Sequence, residues 1–369
     1  MNSTRLFAVA RKEVVQLRRD VRSLLLAFLL PILLLVLFGY AISWDVTHIT
    51  TAIVDQDRSA RSRELVDAFR ASGYFTVVEH PERTRDLVPL LDAGRVQLAL
   101  VIPPRFAADL ATGRLAPVQA IVDGSDANTA TIVLAYATSI VQTYSDGVAL
   151  TARSTPITSA RRVWFNEELS SRNMIVPGLV AVIMMVIAAM LTSLTIAREW
   201  ERGTMEQLAA TPVTRAEVVV GKLLPYLAIG ILDVIAVSVL GVLLFGVPFR
   251  GNVALLAILT TAFLTGALGL GMFISAVAKS QLLATQMAMI LTFLPAFLLS
   301  GFMFSIDVMP PALQAVTFLV PARYFLVVTR GIFLKGVGIP VLYVQGLLMI
   351  AFAVAGLAAA IRSFRKELA

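Results

Sequence analysis

The chain has no cysteine. Disulfides, cysteine-ligated zinc and a thiol nucleophile are therefore excluded. It has only two histidines, His48 and His80, 32 positions apart and without metal-ligand spacing. Surface positions are expected for both, and no metal site. Charge is scarce: Asp, Glu, Lys and Arg make up 15% of 369 residues, where soluble domains carry about 25%. The catalytic signatures H-E-x-x-H, G-x-S-x-G and C-x-x-C do not occur. Nor does a phosphate-cradling loop. Gly221-Lys222 is followed by Leu223 and lacks the upstream glycine of G-x-x-x-x-G-K-[ST]. The chain is not expected to be an enzyme, and any use of ATP requires a second polypeptide.

What is present in excess is apolar surface. Hydrophobic residues make up 58% of the chain, and the mean hydropathy is +0.82. One water-soluble core could not hide that much, so part of the solvent must be lipid. The net charge of +7 sits beside apolar runs, which suits anionic lipid headgroups and argues against nucleic acid as a partner.

Residues 1–23 carry six Lys/Arg against Glu13 and Asp20. Leu6, Ala10, Val14, Leu17 and Val21 recur at helical spacing, with Arg11, Lys12, Arg18, Arg19 and Arg22 around them. The pattern predicts a basic amphipathic helix at the membrane surface. The apolar run 24–44 follows. It is longer than the ~7–15 residues of a signal-peptide core, so an uncleaved first span is expected, with Pro31 inside it. Trp44 stands where an interfacial aromatic belongs.

Residues 45–172 change character, with 13 Arg, no Lys and 15 Asp/Glu. Strand-like runs at 51–54, 75–78, 97–102 and 118–122 alternate with helical stretches at 59–71 and 83–93. A small α/β domain is predicted. A long helix follows from Asp126, a candidate N-cap. The pairs Asp55/Asp57 and Asp123/Asp126 lie near strand ends, where turn and cap roles are expected rather than acid–base chemistry.

Residues 173–369 form a membrane domain. Spans are predicted near 175–197, 223–246, 254–278, 283–305 and 341–361, each about 20 residues or longer. With 24–44 they make about six. A charged loop occupies 198–222, and short interfacial or re-entrant helices are expected at 306–340. If there are six spans, 14 basic residues in the N-terminal segment, the 198–222 loop, Lys279 and the tail share one face. The positive-inside rule makes that face cytoplasmic, with both termini inside and 45–172 outside, in a multi-pass protein of the cell or inner membrane.

The 198–222 loop reads Arg198-Glu199-Trp200-Glu201-Arg202-Gly203-Thr204-Met205-Glu206-Gln207-Leu208, then Thr211-Pro212-Val213-Thr214-Arg215. Thr204 can cap a short helix with Met205, Leu208 and Ala209 on one face, ended by Pro212. Such a helix suits docking of a partner; an ordinary solvated loop is the other reading of the same residues. This stretch resembles the cytoplasmic loop of type-2 ABC transporter permeases, the drug and antibiotic exporter group with a large domain after the first span. The resemblance extends to the basic N-terminal segment, to Arg162-Val163-Trp164-Phe165-Asn166 with Pro177-Gly178, and to Leu299-Ser300-Gly301-Phe302 through Pro310 and Pro321, and so covers nearly the whole chain. It implies that the loop is a coupling helix seated on a separate ABC ATPase. Glu201, Arg202, Gly203, Thr204, Glu206 and Gln207 would then contact the ATPase or shape the loop. Arg11, Lys12, Arg18 and Arg19 would mark the interfacial helix beside it. It also implies a second permease copy or paralogue, ATP and magnesium on the ATPase with no cofactor on this chain, and a periplasmic adaptor as a further candidate partner.

Asp233 is the one acidic residue well inside a predicted span. Burying its charge costs roughly 2.5–3.5 kcal/mol on insertion scales, so it needs a partner or a wet cavity. A structural helix contact and a point in a translocation path both stay open. The same two readings apply to Thr192, Ser193 and Thr195, and to Thr285, Gln286 and Thr292. Gly266, Gly269 and Gly271, with Ala262 and Ala267, predict close helix packing.

Three functions are compatible with this much. The first is a permease that exports amphipathic or hydrophobic compounds by alternating access. The second is a membrane-anchored sensor or cell-envelope assembly protein working through its outer domain. The third, an integral membrane enzyme, lacks any catalytic constellation.

Overall fold

The computed structural model describes residues 2–42, 48–124, 127–152 and 170–364. Trp44, Asp126 and the 162–166 motif lie outside the described residues. The chain divides into two compact units, Met1–Ser43 with Val163–Ala369, and Trp44–Arg162.

Helix α1 (Ser3–Arg19) is capped by Asn2, whose side chain accepts the Thr4 N–H at 3.0 Å. Its buried residues are Ala10, Glu13 and Leu17. The predicted apolar face is therefore rotated. Val14 is 42% and Val21 66% exposed, and an acid takes the inner position. The reason is a lysine on a later helix, described below. Helix α2 (Val21–Ala41) follows after Asp20 alone, inside the segment expected to be interfacial. At 21 residues it is about 31 Å long, and Pro31 lies within it.

The inserted unit is an α/β sandwich around one sheet. Its elements run β1 (Ile49–Asp55), α3 (Ala60–Ala71), β2 (Phe75–Glu79), a 3-10 turn (Thr84–Leu87) leading into α4 (Val88–Asp92), β3 (Leu98–Ile102), α5 (Phe106–Ala111), β4 (Gln119–Val122) and α6 (Ala127–Ala152). The strand order is β2-β1-β3-β4; β1 is parallel to β2 and β3, and β4 is antiparallel to β3. The central strand β3 is buried along its whole length, which is why Leu98–Ile102 reads as an unbroken apolar run. Ile49, Ile53, Leu98 and Leu100 pack with Leu65, Phe69 and Phe106 on one face. Ala52, Val54, Ala99 and Val101 pack with Leu87 and Val96 on the other. The acids at the strand end serve the turn. Asp55 Oδ1 accepts the Asp57 and Arg58 N–H groups, and Asp57 Oδ2 accepts the Ala107 N–H at 3.0 Å. Hydrogen bonds from Ser59 and Ala107 hold the Asp57 carboxyl below its usual pKa.

The other unit continues with α7 (Ser171–Glu201), α8 (Met205–Ala209), α9 (Arg215–Phe245), α10 (Val253–Ala278), α11 (Gln281–Leu298), α12 (Pro311–Thr317), α13 (Pro321–Arg330) with a π-helical turn (Gly331–Lys335), and α14 (Ile339–Ser363). Among the described residues, α7, α9, α10, α11 and α14 are long and apolar enough to cross a membrane, and the bent pair Pro311–Thr317 with Pro321–Lys335 would make six; within α2 the apolar stretch is the shorter Ala27–Ala41. Helix α7 is the central one: 83% of its apolar window is buried, against 22–50% for the others. The glycines of α10 bring helices together as expected. A Cβ on Gly269 would lie 2.7 Å from the Gly356 carbonyl carbon of α14. At Gly271 a Cβ would strike Ala189 and Thr192 of α7.

Two predicted boundaries move. The 198–222 loop shrinks to 202–214, because α7 runs on to Glu201 and α9 begins at Arg215. Helix α7 also starts at Ser171, inside the segment assigned to the outer domain. Within 306–340, the helical segments Pro311–Thr317 and Pro321–Lys335 meet at 77°, as a broken span or re-entrant loop would.

The protein is thus an α-helical polytopic membrane protein with an α/β domain inserted between its first and second spans.

Candidate functional site at the basic end of the membrane unit

Both α7 and α9 are 31 residues long, about 46 Å at 1.5 Å per residue. The hydrocarbon core is only about 30 Å thick. Their charged ends, Arg198–Glu201 and Arg215–Lys222, therefore extend past the apolar stretch, joined by 202–214. Arg198, Glu199, Glu201, Glu217 and Lys222 on these helix ends each find a partner, while Arg215 is exposed.

Lys222 is the centre. Its ammonium lies 3.0 Å from Glu13 Oε2 and 3.0 Å from Glu199 Oε1, with side-chain exposures of 2%, 4% and 5% respectively. Tyr226, one turn along α9, donates to Glu13 Oε1 at 3.0 Å. Lys12, more than half exposed, reaches Glu199 Oε1 at 3.3 Å. Arg198 pairs with Asp20 at 2.8 Å. A cavity of about 110 Å³ adjoins this cluster, with Glu13, Asp20, Thr195, Arg198, Tyr226 and Thr285 in its wall.

The connection itself is braced from within. Thr214 and Glu217 form a reciprocal capping box at the start of α9, and Glu217 also accepts the Asn2 N–H at 2.6 Å. Arg5 donates to the Pro212 carbonyl at 2.6 Å. Gly203 ends α7 in the left-handed region, φ 67°, a conformation glycine adopts without a Cβ penalty. The Thr204 hydroxyl donates back to the Glu199 carbonyl at 3.4 Å. The Glu201 carboxylate receives the Gln281 backbone N–H at 2.7 Å and its side-chain amide, and so caps α11. Lys279 lies 4.6 Å from the centre of the Trp200 ring.

The predicted docking residues therefore separate into two groups. Glu201, Gly203 and Thr204 shape the connection. Arg202, Glu206 and Gln207 are exposed. Met205, between them, is buried at 4% exposure and anchors α8. On α1, Arg11, Arg18 and Arg19 are exposed, while Lys12 joins the cluster.

The polar groups predicted within the spans are dispersed. Thr192 is fully buried and donates to Leu268 O at 2.8 Å, tying α7 to α10. Thr195 and Thr292 donate to their own helices, at Thr192 O and Ala288 O. Gln286 is exposed on α11. Asp233 is 1% exposed, and its Oδ2 has no partner among the described residues. Of the threonines with a possible path role, Thr195 and Thr285 border the cavity.

Sequence reasoning missed the roles of Glu13, Glu199, Lys222 and Tyr226. One signal was available: Glu13 falls on the same helical face as Ala10 and Leu17, three and four residues away, where an unpartnered carboxylate would not be tolerated.

Comparison with known proteins follows the same outline. The family model described as ABC-2 family transporter protein matches residues 22–362. The probable multidrug ABC transporter permease YbhS of Escherichia coli (strain K12) is 39% identical over 355 residues, covering 95% of this chain and 94% of that protein. The probable multidrug ABC transporter permease YbhR of the same strain is 31% identical, covering 92% of each chain. The inner membrane transport permease YhhJ, also of that strain, is 29% identical over 86% of this chain and 85% of its own length. On the extent of the family match and these identities, the chain belongs to the ABC-2 transporter family.

Proposed function

We propose that this chain is the permease subunit of an ABC exporter, moving amphipathic or hydrophobic compounds outward by alternating access. A separate ATPase docks on the 202–214 connection and supplies ATP and magnesium chemistry that this chain does not contain. The observation that carries the reading is the pairing of an exposed tip with a rigid base. Arg202, Glu206 and Gln207 face solvent, while the ends of the same connection are fixed to α1, α7, α9 and α11. A push at the tip reaches two helices long enough to carry it across the bilayer. The names of the relatives, multidrug ABC transporter permeases, support the same reading.

The charge arithmetic supports a cytoplasmic position for this end and for both termini, in the cell or inner membrane. The inserted α/β domain is then on the outer side, where a periplasmic adaptor could meet it. Two ATPases that close on ATP together call for a second permease copy or a paralogue. Asp233 and Thr195 remain the candidates for the path itself.

Co-purification with a candidate ABC ATPase tests the reading. Arg202→Glu together with Glu206→Lys inverts the exposed charges without touching the braces. The expected result is about tenfold weaker ATPase retention, as for charge reversal at an interface, with unchanged thermal stability. Wild-type retention and wild-type stimulated ATP hydrolysis in that variant would overturn the docking assignment.

A further inference from the structure

We propose that Lys222, clamped between Glu13 and Glu199, is a positioning residue that makes α1, α7 and α9 move as one body when the ATPase acts. The inference rests on the permease reading for its role in transport, but not for its geometry.

Lys222 Nζ is the point at which the three helices meet: it belongs to α9, Glu13 to α1 and Glu199 to α7, both carboxylates at 3.0 Å. Tyr226 completes Glu13 with a 3.0 Å hydrogen bond. Further contacts fasten α1 to α9 and to the connection. Asn2 meets Glu217, and Arg5 meets Pro212. At Gly221 the backbones come so close that a Cβ would lie 2.9 Å from Val9. Those contacts hold α1 against α9. The direct ties to α7, Lys12–Glu199 and, just past the end of α1, Asp20–Arg198, lie closer to solvent: Lys12 is 56% exposed, and Asp20 and Arg198 are 26% and 17% exposed.

Stability alone does not account for such a cluster. Removing three charges from water is costly, and well-packed apolar replacements are often as stable or more so. The cluster is also one donor short, since Glu199 Oε2 is buried without a hydrogen-bond partner among the described residues. Its distinctive property is directional. Apolar helix faces can slide by small steps, whereas two carboxylates sharing one ammonium hold a single register and let go only as a unit. A helix that rests beside the docking tip and must follow it needs that property. Lys12, half exposed and already on Glu199 at 3.3 Å, is placed to take over when Lys222 shifts.

The test compares three variants of the full chain, assembled with its ATPase in lipid nanodiscs. Lys222→Met strands two carboxylates and is expected to impair assembly. The triple variant Glu13→Gln, Glu199→Gln, Lys222→Met removes all three charges together, and is expected to recover thermal stability and ATPase retention. A purely structural cluster predicts that transport recovers with them. The positioning role predicts that transport per ATP hydrolysed stays about tenfold down. It also predicts that amide exchange in α1 quickens about tenfold while α10 and α14 are unchanged. Wild-type coupling and wild-type α1 protection in the triple variant overturn the proposal. Should the triple variant fail to fold, Tyr226→Phe decides: a roughly twofold change in the same two readouts supports the proposal, and no change in either overturns it. Amide exchange needs no ATPase. If the unaltered complex shows no ATP-driven transport, the permease reading falls, and the exchange measurement still decides whether the cluster holds α1.

Discussion

The two units of this protein use charge in opposite ways. In the inserted α/β unit the ion pairs are exposed on both partners, and several are close in sequence. Arg61–Glu64 and Arg70–Asp67 are three residues apart on one helix, and Arg85–Asp86 are adjacent. Its two cores are built from apolar side chains, and its buried polar residues among those described, Thr51 and Ser62, are uncharged. In the membrane unit Asp20–Arg198 and Glu13–Lys222 bridge 178 and 209 residues, Glu199–Lys222 ties the two ends of one connection, and these pairs are largely buried. Water accounts for the difference. An exposed pair competes with hydration and is worth about 0–1 kcal/mol. A pair removed from water cannot lose one member without stranding the other. The same residue types are thus near-decorative in one unit and register-setting in the other.

The contrast can be broken experimentally. Lys222→Met should produce the largest effect, a destabilisation of about 3–5 kcal/mol for a stranded buried charge, read as lost thermal stability of the solubilised chain. A loss below that of an ordinary surface mutation would mean that the cluster is hydrated, and the contrast would vanish. Leu65→Ala comes next, at about 2–5 kcal/mol for a fully buried leucine. It should accelerate amide exchange in β1 and α3 and leave α7 and α10 unchanged, sharpening the claim that apolar packing holds the inserted unit. Arg61→Ala should be the smallest, within about 0.5 kcal/mol, because its Glu64 partner is half exposed. A larger loss would show that the Arg61 side chain contributes more than its pair. The docking and clamp experiments above extend the series to function, separating the exposed tip from the buried base.

Much of the architecture was legible in the sequence because it is encoded locally. The run at 97–102 became β3, the stretch at 59–71 became α3 with Ser59 as its cap, and the glycines of α10 marked its close neighbours. Boundaries failed where a distant residue intervened. The charged segment 198–222 looked like a loop because four acids and four bases rarely continue a span. Two helices continue through it because Asp20, Glu13 and Gln281, all remote in sequence, receive those charges. Glu201 illustrates the same limit. The family resemblance gave it an ATPase-contacting or loop-shaping role, and which residue it meets, Gln281 on the first turn of α11, came only with the fold.

The sequence by itself determined that this is a membrane protein with about six apolar stretches, that an α/β domain interrupts them, and which family it resembles. All of these depend on composition and on periodicities of two to four residues, or on a run of about 20 apolar ones. Only the tertiary structure decided which charges point outward and which are spent inside. Glu13 and Lys222 are 209 residues apart. A carboxylate is the same residue in either role, and what separates them is a partner that only folding brings to within 3.0 Å.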